Sequence, residues 1–215
     1  MIRRTMRRAV LITAVFVASL ATPASAWATL QYGSHGPAVL ALQRKLVDLR
    51  YLAKTARNGV YGIRTEQAVM AFQGWVGLTR DGVAGPTTFA RLRKADRPIP
   101  WNRNGRHMEV HKDRQVLLLI AKSGKLLRAI HVSTAAPGHV TPSGRFTIIR
   151  KERMSWSKLF QVWLPFADYF YGGYAFHQYP SVPGYPASHG CIRIADREAI
   201  VVWYFATLGT RVIIA

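Results

Sequence analysis

The hydrophobic pattern changes its period once along this 215-residue chain, and that change dictates two structural units. Across residues 30–94 the apolar positions recur at helical spacing. Val39, Leu42, Leu46 and Leu49 share a face behind Pro37, and proline is favoured at a first helical position. Ala68, Val69 and Phe72 form a second stripe, with Thr65 as its expected cap and Gly77 as its stop. Phe89 and Leu92 form a third behind Pro86. From His107 the texture is that of strands. Residues 114–121 and 126–133 are rich in Val, Leu and Ile around Ser123-Gly124 and predict a hairpin. Residues 145–150, 174–178 and 211–214 predict further strands, and residues 197–208 a helix capped by Asp196 and ended by Gly209. The expected fold is multidomain: a small all-α three-helix N-terminal domain over residues 27–95 and a mainly β C-terminal domain over 107–215. A Pro-, Asn- and Gly-rich linker, 96–106, joins them, and Trp101 within it is expected to dock on one of the two.

The helical unit contains a repeat. Asn58-Gly59-Val60-Tyr61-Gly62 precedes Thr65, and Asp81-Gly82-Val83-Ala84-Gly85 precedes Thr88. Each is a two-glycine turn feeding a helix. Leu42-Gln43, these turns, Ala68-Val69, Phe72-Gln73 and Thr88 together resemble the peptidoglycan-binding type 1 module. The resemblance implies a three-helix wall-binding domain; a helical spacer without a ligand is the alternative.

The first residues predict export. Arg3, Arg4, Arg7 and Arg8 precede an apolar run over residues 9–21, and Ala24-Ser25-Ala26 supplies a cleavage pattern. Residues 1–26 therefore read as a signal peptide. The run is shorter than the roughly 20 residues a membrane span needs, which disfavours a retained anchor. Cleavage removes four arginines and no acid, taking the formal charge from +20 to +16 and leaving no transmembrane segment. Such a basic protein is drawn to polyanions such as wall polymers or anionic lipid. Export argues against nucleic acid as the partner and places the protein in the cell wall, the periplasm or the medium.

Cys191 is the chain's one cysteine, so no internal disulfide can form. It is a buried filler, an intermolecular link or a reactive thiol. The segment around it favours the last. His177 is followed by Ser188-His189-Gly190-Cys191-Ile192-Arg193. An imidazole that takes the thiol proton makes a nucleophile, and His177 or His189 could serve. Backbone amides at Gly190 and Cys191 could receive an oxyanion, and a glycine admits close substrate approach. A zinc site from His177, His189 and Cys191 matches in ligand type but lacks paired-ligand spacing.

His177 followed by Ser188-His189-Gly190-Cys191 resembles the signature of the YkuD-type L,D-transpeptidase catalytic domain. Val132-Ser133, residues 141–146 and residues 209–213 extend the likeness over about 107–215. The resemblance implies a β-sandwich-like domain of L,D-transpeptidase type. It implies Cys191 as nucleophile, His177 as proton carrier and His189 beside them, with Ser188, Gly190 and Arg193 shaping the substrate pocket. No metal or organic cofactor is implied, and the partners are peptidoglycan stem peptides and glycan. Carbapenems are expected to acylate the thiol. L,D-carboxypeptidase or endopeptidase action at the same site, and a non-catalytic wall-binding protein, are the alternatives. Two positions depart from the pattern. Gln178 stands where many relatives have a small or hydroxylic residue, so the group that orients His177 is unassigned and a backbone carbonyl could serve. Arg193 stands where one common form has Asn, and it could pair with a substrate carboxylate. The aromatic segment Trp156, Phe160, Trp163, Phe166, Tyr169, Phe170 and Tyr171 reads as core packing for most of its rings, or as the wall of a cleft. His35, His107, His111, His131 and His139 show no partner pattern.

Overall fold

The computed structural model describes residues 29–215. The predicted signal peptide, 1–26, lies outside the described residues. Three α-helices come first: α1 (Pro37–Asp48), α2 (Ile63–Trp75) and α3 (Pro86–Lys94), with a 3-10 turn at Lys54–Ala56 between the first two. Pro37 and Pro86 open α1 and α3 as expected. Gly77 follows the end of α2 in the left-handed conformation, φ 72°. The cap of α2 differs from expectation. Gly62 holds that position with no side-chain bond, and the Thr65 hydroxyl accepts instead from Gln43 Nε2 at 2.9 Å.

That contact belongs to a repeated knot. Gln43 Nε2 also donates to Val60 O (2.9 Å), and its Oε1 accepts from the amides of Asn58 and Gly59 at 3.0 and 2.8 Å. Gln73 repeats the pattern on the second turn. It donates to Asp81 Oδ1, Val83 O and Thr88 Oγ1 and accepts from the Gly82 amide. Gly59 and Gly82 sit at φ 76° and 70°, where a Cβ would be strained. The Tyr61 hydroxyl, donating to Gly82 O at 2.6 Å, ties one turn to the other. The helix-borne glutamine in each repeat thus satisfies the backbone of a turn that has no regular structure of its own.

The remainder is one nine-stranded sheet: β1 (His107–His111), β2 (Val116–Ile120), β3 (Leu126–Ser133), β4 (Gly144–Thr147), β5 (Arg150–Ser157), β6 (Val162–Tyr171), β7 (Tyr174–Gln178), β8 (Ile192–Ile194) and β9 (Arg211–Ile214). The order is β4-β9-β1-β2-β3-β8-β7-β6-β5. The sheet curls so far that Phe146 of β4 meets Phe170 and Tyr171 of β6 at ring separations of 5.4 and 5.6 Å, across six intervening strands. Helix α4 (Asp196–Phe205) buries Ala199, Val202 and Phe205 against the core enclosed by the curl. It starts one residue before the predicted range and ends three residues short of it. Ala195, not Asp196, occupies its cap, and Asp196 instead contributes charge to the first turn.

The helical and β units share a core. Strand β2 reads Val-Leu-Leu-Leu-Ile without alternation because both its faces are covered. Leu117 and Leu119 face the inside of the curl, whereas Val116, Leu118 and Ile120 pack with Leu126 and Ala129 against the helices. The Ala129 amide donates to Arg50 O at 2.9 Å, and Arg114 Nη1 donates to Trp75 O at 3.0 Å. Trp101 docks on β1 by stacking on His111, 3.6 Å between centroids, and the Glu109 carboxylate accepts from the amides of Trp101 and Asn102, both at 2.8 Å. The segment between the units is therefore tied to the sheet at Trp101 and Asn102, and to the helical unit where Arg97 Nε donates to Asp48 O at 2.7 Å.

Candidate active site

Period-two alternation on two short strands builds the site. Strands β7 and β8 run parallel, with Phe176 opposite Ile192, His177 opposite Arg193 and Gln178 opposite Ile194. Phe176 and Ile192 are fully buried in the core of the curl. Their neighbours His177, Cys191 and Arg193 must then project from the opposite face. Together with Ser188 and His189 they line a cleft of about 590 Å³. The β5–β6 hairpin forms the other wall through Ser157, Lys158, Leu159 and Phe160, and the Phe160 ring stacks on His189 at 4.7 Å.

His177 is almost wholly buried, and its Nδ1 lies 2.8 Å from Gln178 O. A carbonyl only accepts, so Nδ1 carries the proton and Nε2 of the neutral ring keeps its lone pair. This backbone oxygen fills the orienting role for which the residue type at 178 offered no candidate. Burial pushes the His177 pKa down to about 4; the Gln178 bond opposes that and the Arg193 charge adds to it. Burial pushes the Cys191 thiol up, against the Ala175 amide and the Arg193 charge, which favour thiolate. Both groups are therefore neutral at rest. The thiol points at Gly173 O, 3.7 Å away. The Arg193 guanidinium is held over the Tyr179 ring at 4.1 Å.

The turn that presents Cys191 is braced from within. Ser188 Oγ accepts from the Gly190 amide (3.0 Å) and donates to Cys191 O (2.5 Å). Thr141 Oγ1 donates to Gly190 O (2.7 Å) and accepts from the Ala135 amide (3.0 Å). Gly190 sits at φ 135°, and a Cβ there would lie 2.5 Å from Tyr174 Cε1. The expected site residues thus converge on one cleft with different local positions. Cys191, His177 and Arg193 share a sheet face, His189 is exposed at the rim, and the Ser188 hydroxyl is committed to the turn. The Gly190 amide is engaged by that hydroxyl, so it could meet an oxyanion only by giving up this bond.

Two cations in the cleft, Arg150 and Lys158, escaped sequence reasoning. Only the fold-back of the β5–β6 hairpin brings them to the cysteine. Thr141 was legible as part of a turn but not as the clamp on Gly190. The reading of the aromatic segment as mostly core is corrected. Tyr169 and Phe170 are buried, but Trp156, Phe160, Trp163 and Tyr171 are exposed, because an antiparallel hairpin with one face in the cleft leaves half its rings to solvent. Among the described residues, no three His, Cys, Asp or Glu side chains are grouped to hold a metal ion, and no helix is long and apolar enough to cross a membrane.

Comparison with known proteins agrees with this architecture. The model of the YkuD family, the L,D-transpeptidase catalytic domain, matches residues 105–214, and that of the PG_binding_1 family, a peptidoglycan binding domain, matches residues 35–92. An L,D-transpeptidase structure from Xylanimonas cellulosilytica is 40% identical, with a TM-score of 0.80, covering 86% of this chain and 97% of that one. One from Stackebrandtia nassauensis, at 23% identity and a TM-score of 0.55, covers 86% and 94% and shares the fold. A zinc D-Ala-D-Ala carboxypeptidase from Streptomyces albus G is 42% identical over 65 residues, 30% of this chain. Those residues are 26% of that protein, so the chain spans about a quarter of its length.

Proposed function

Since the chain belongs to the YkuD family of L,D-transpeptidases, we propose that it is exported and joins or remodels peptidoglycan stem peptides through a thioester on Cys191. The observation that carries this reading is the convergence of Cys191, a tautomerically fixed His177 and three cations, Arg150, Lys158 and Arg193, on one cleft. The donor is a stem tetrapeptide. Cys191 Sγ attacks the carbonyl of its third residue while His177 Nε2 takes the thiol proton. The tetrahedral carbon then expels the terminal D-alanine, whose amine receives that proton, and the C–N bond is replaced by C–S. An amine of a neighbouring stem next attacks the thioester, gives a proton to His177, and releases Cys191, which takes the proton back.

Both partners start neutral, so His177 acts as a general base during attack and not as half of a standing ion pair. The cations offer sites for the carboxylates of the stem, with Arg193 suited to a two-bond grip because Tyr179 fixes its plane. The helical unit supplies affinity for the polymer, which would hold the exported enzyme at the wall.

Mass spectrometry of disaccharide-tetrapeptide incubated with the mature protein and with Cys191→Ala tests the reading. A dimer lacking one D-alanine, made only by the native protein, is expected. Tripeptide alone would move the assignment to L,D-carboxypeptidase. Equal turnover by Cys191→Ala would overturn the nucleophile.

A further inference from the structure

The loop over residues 179–190 carries the chain from the strand of His177 to Cys191, and it contains no regular element. Ordering such a loop costs backbone entropy at every residue, so something outside it must fix its place. The fixing groups are visible. Four consecutive carbonyls each accept from one side chain. Val182 O takes Gln67 Nε2 (3.1 Å), Pro183 O takes His131 Nε2 (2.9 Å), Gly184 O takes Arg80 Nε (2.6 Å) and Tyr185 O takes Ser133 Oγ (2.8 Å). His131 and Ser133 come from β3. Gln67 and Arg80 come from the helical unit, 115 and 104 residues away in sequence. At Gly184 the two backbones touch, since a Cβ there would stand 1.8 Å from Arg80 O. The amides of Ala187 and Ser188 then both donate to Thr134 O, at 3.0 and 2.9 Å, directly before the Cys191 turn.

We infer that Gln67 and Arg80 are positioning residues for the reaction at Cys191: the helical unit, besides binding wall polymer, holds the loop that presents the nucleophile. This rests on the proposed role of Cys191. A loop hung from four side chains has its position set where they stand. Losing the two donors of the helical unit frees one side of it. A displacement of about 1 Å at a reacting centre is enough to cost on the order of a hundredfold in rate.

The test uses full-length protein with Gln67→Met, Arg80→Lys and the double variant Gln67→Met/Arg80→Met; methionine keeps apolar bulk and removes the donor. Soluble disaccharide-tetrapeptide is the donor substrate, so polymer affinity does not enter. Thermal melting gives the folded fraction by which rates are corrected, and the single variant covers the case in which the double one does not fold. We expect folded Gln67→Met and the folded double variant to lose about tenfold or more in kcat with KM within about twofold, and Arg80→Lys, which keeps a cationic donor, to lose less. The pH midpoint of Cys191 alkylation by iodoacetamide should also fall as water reaches the thiol. Unchanged kcat and an unchanged alkylation midpoint in a folded variant would overturn the inference. If native protein leaves the tetrapeptide intact while the alkylation midpoint still shifts in the variants, the proposed function fails and the positioning stands.

Discussion

Cutting the chain between its two units should unfold the part that remains. A fragment of residues 105–215 keeps every strand but uncovers one face of β2 and β3. Val116, Leu118, Ile120 and Leu126 lie buried in the core shared with the helices. Each contributes about 1.5–3 kcal/mol when buried, so their exposure costs about 6–12 kcal/mol. A typical domain has only ~5–15 kcal/mol of total stability. The fragment also loses the Arg50 carbonyl that accepts from Ala129, and the two loop donors of the helical unit. It should therefore show no cooperative melt at 25 °C and should bind a hydrophobic dye, whereas the full chain melts sharply and does not. Circular dichroism melts, dye fluorescence and tetrapeptide turnover on both proteins are the assay. A fragment that melts within a few degrees of the full chain and turns over the same donor would refute the shared core. For the same reason, deleting residues 30–94 would measure folding before it measured wall retention.

Four further outcomes follow from the geometry. His177 titrates near 4 and not near 6.5, so its base form persists through mildly acid solution. The kcat/KM profile should stay level down to about pH 5 and fall below about pH 4; an acid limb centred near 6.5 would contradict the buried, carbonyl-bonded ring. His131, also pushed down to about 4 by burial, favours the fold fully above its unfolded pKa of 6.5, and that contribution is lost as pH falls toward 4. His131→Gln should thus flatten the dependence of melting temperature on pH in this window, and an unaltered slope would count against it. Gln43→Leu leaves the amides of Asn58 and Gly59 without their acceptor and should cost about 2–4 kcal/mol by calorimetry; a loss under about 0.5 kcal/mol would show that the knot is replaceable by water. Gly190→Ala forces a Cβ against Tyr174 Cε1 and Val140 O, and should lower stability by about 1–3 kcal/mol while abolishing turnover; native-like rates would mean the turn can shift freely.

Much of this protein was legible in its residues because local rules sufficed. Pro37 and Pro86 announce helices, the two-glycine repeats announce turns, and the hairpin over residues 114–133 follows from apolar runs around Ser123-Gly124. The residues that meet at the cleft were legible as candidates as well, since His177 and the Ser188–Cys191 segment stand out by type and spacing. The unbroken Val116–Ile120 run also held a signal of two covered faces, although nothing local says what covers each. What escaped were relations between distant segments. Gln43 and Gln73 look like ordinary helix residues until the turns they hold fold back on them. Thr65 and Asp196 look like caps, but a tertiary partner claims one and the other is already the first residue of its helix, behind Ala195. His131, with no motif around it, became a clamp on the loop before Cys191 only through a contact spanning 52 residues. The sequence by itself determined the three leading helices, the 114–133 hairpin and the residue types that meet at the cleft, because period and residue type act within a few positions; it did not announce β1, β5, β6 or β8 as strands. Only the tertiary structure decided the tautomer of His177, the cations around Cys191 and the hydrogen bonds that tie its loop to the helical unit, because burial and hydrogen-bond partners are properties of neighbours in space.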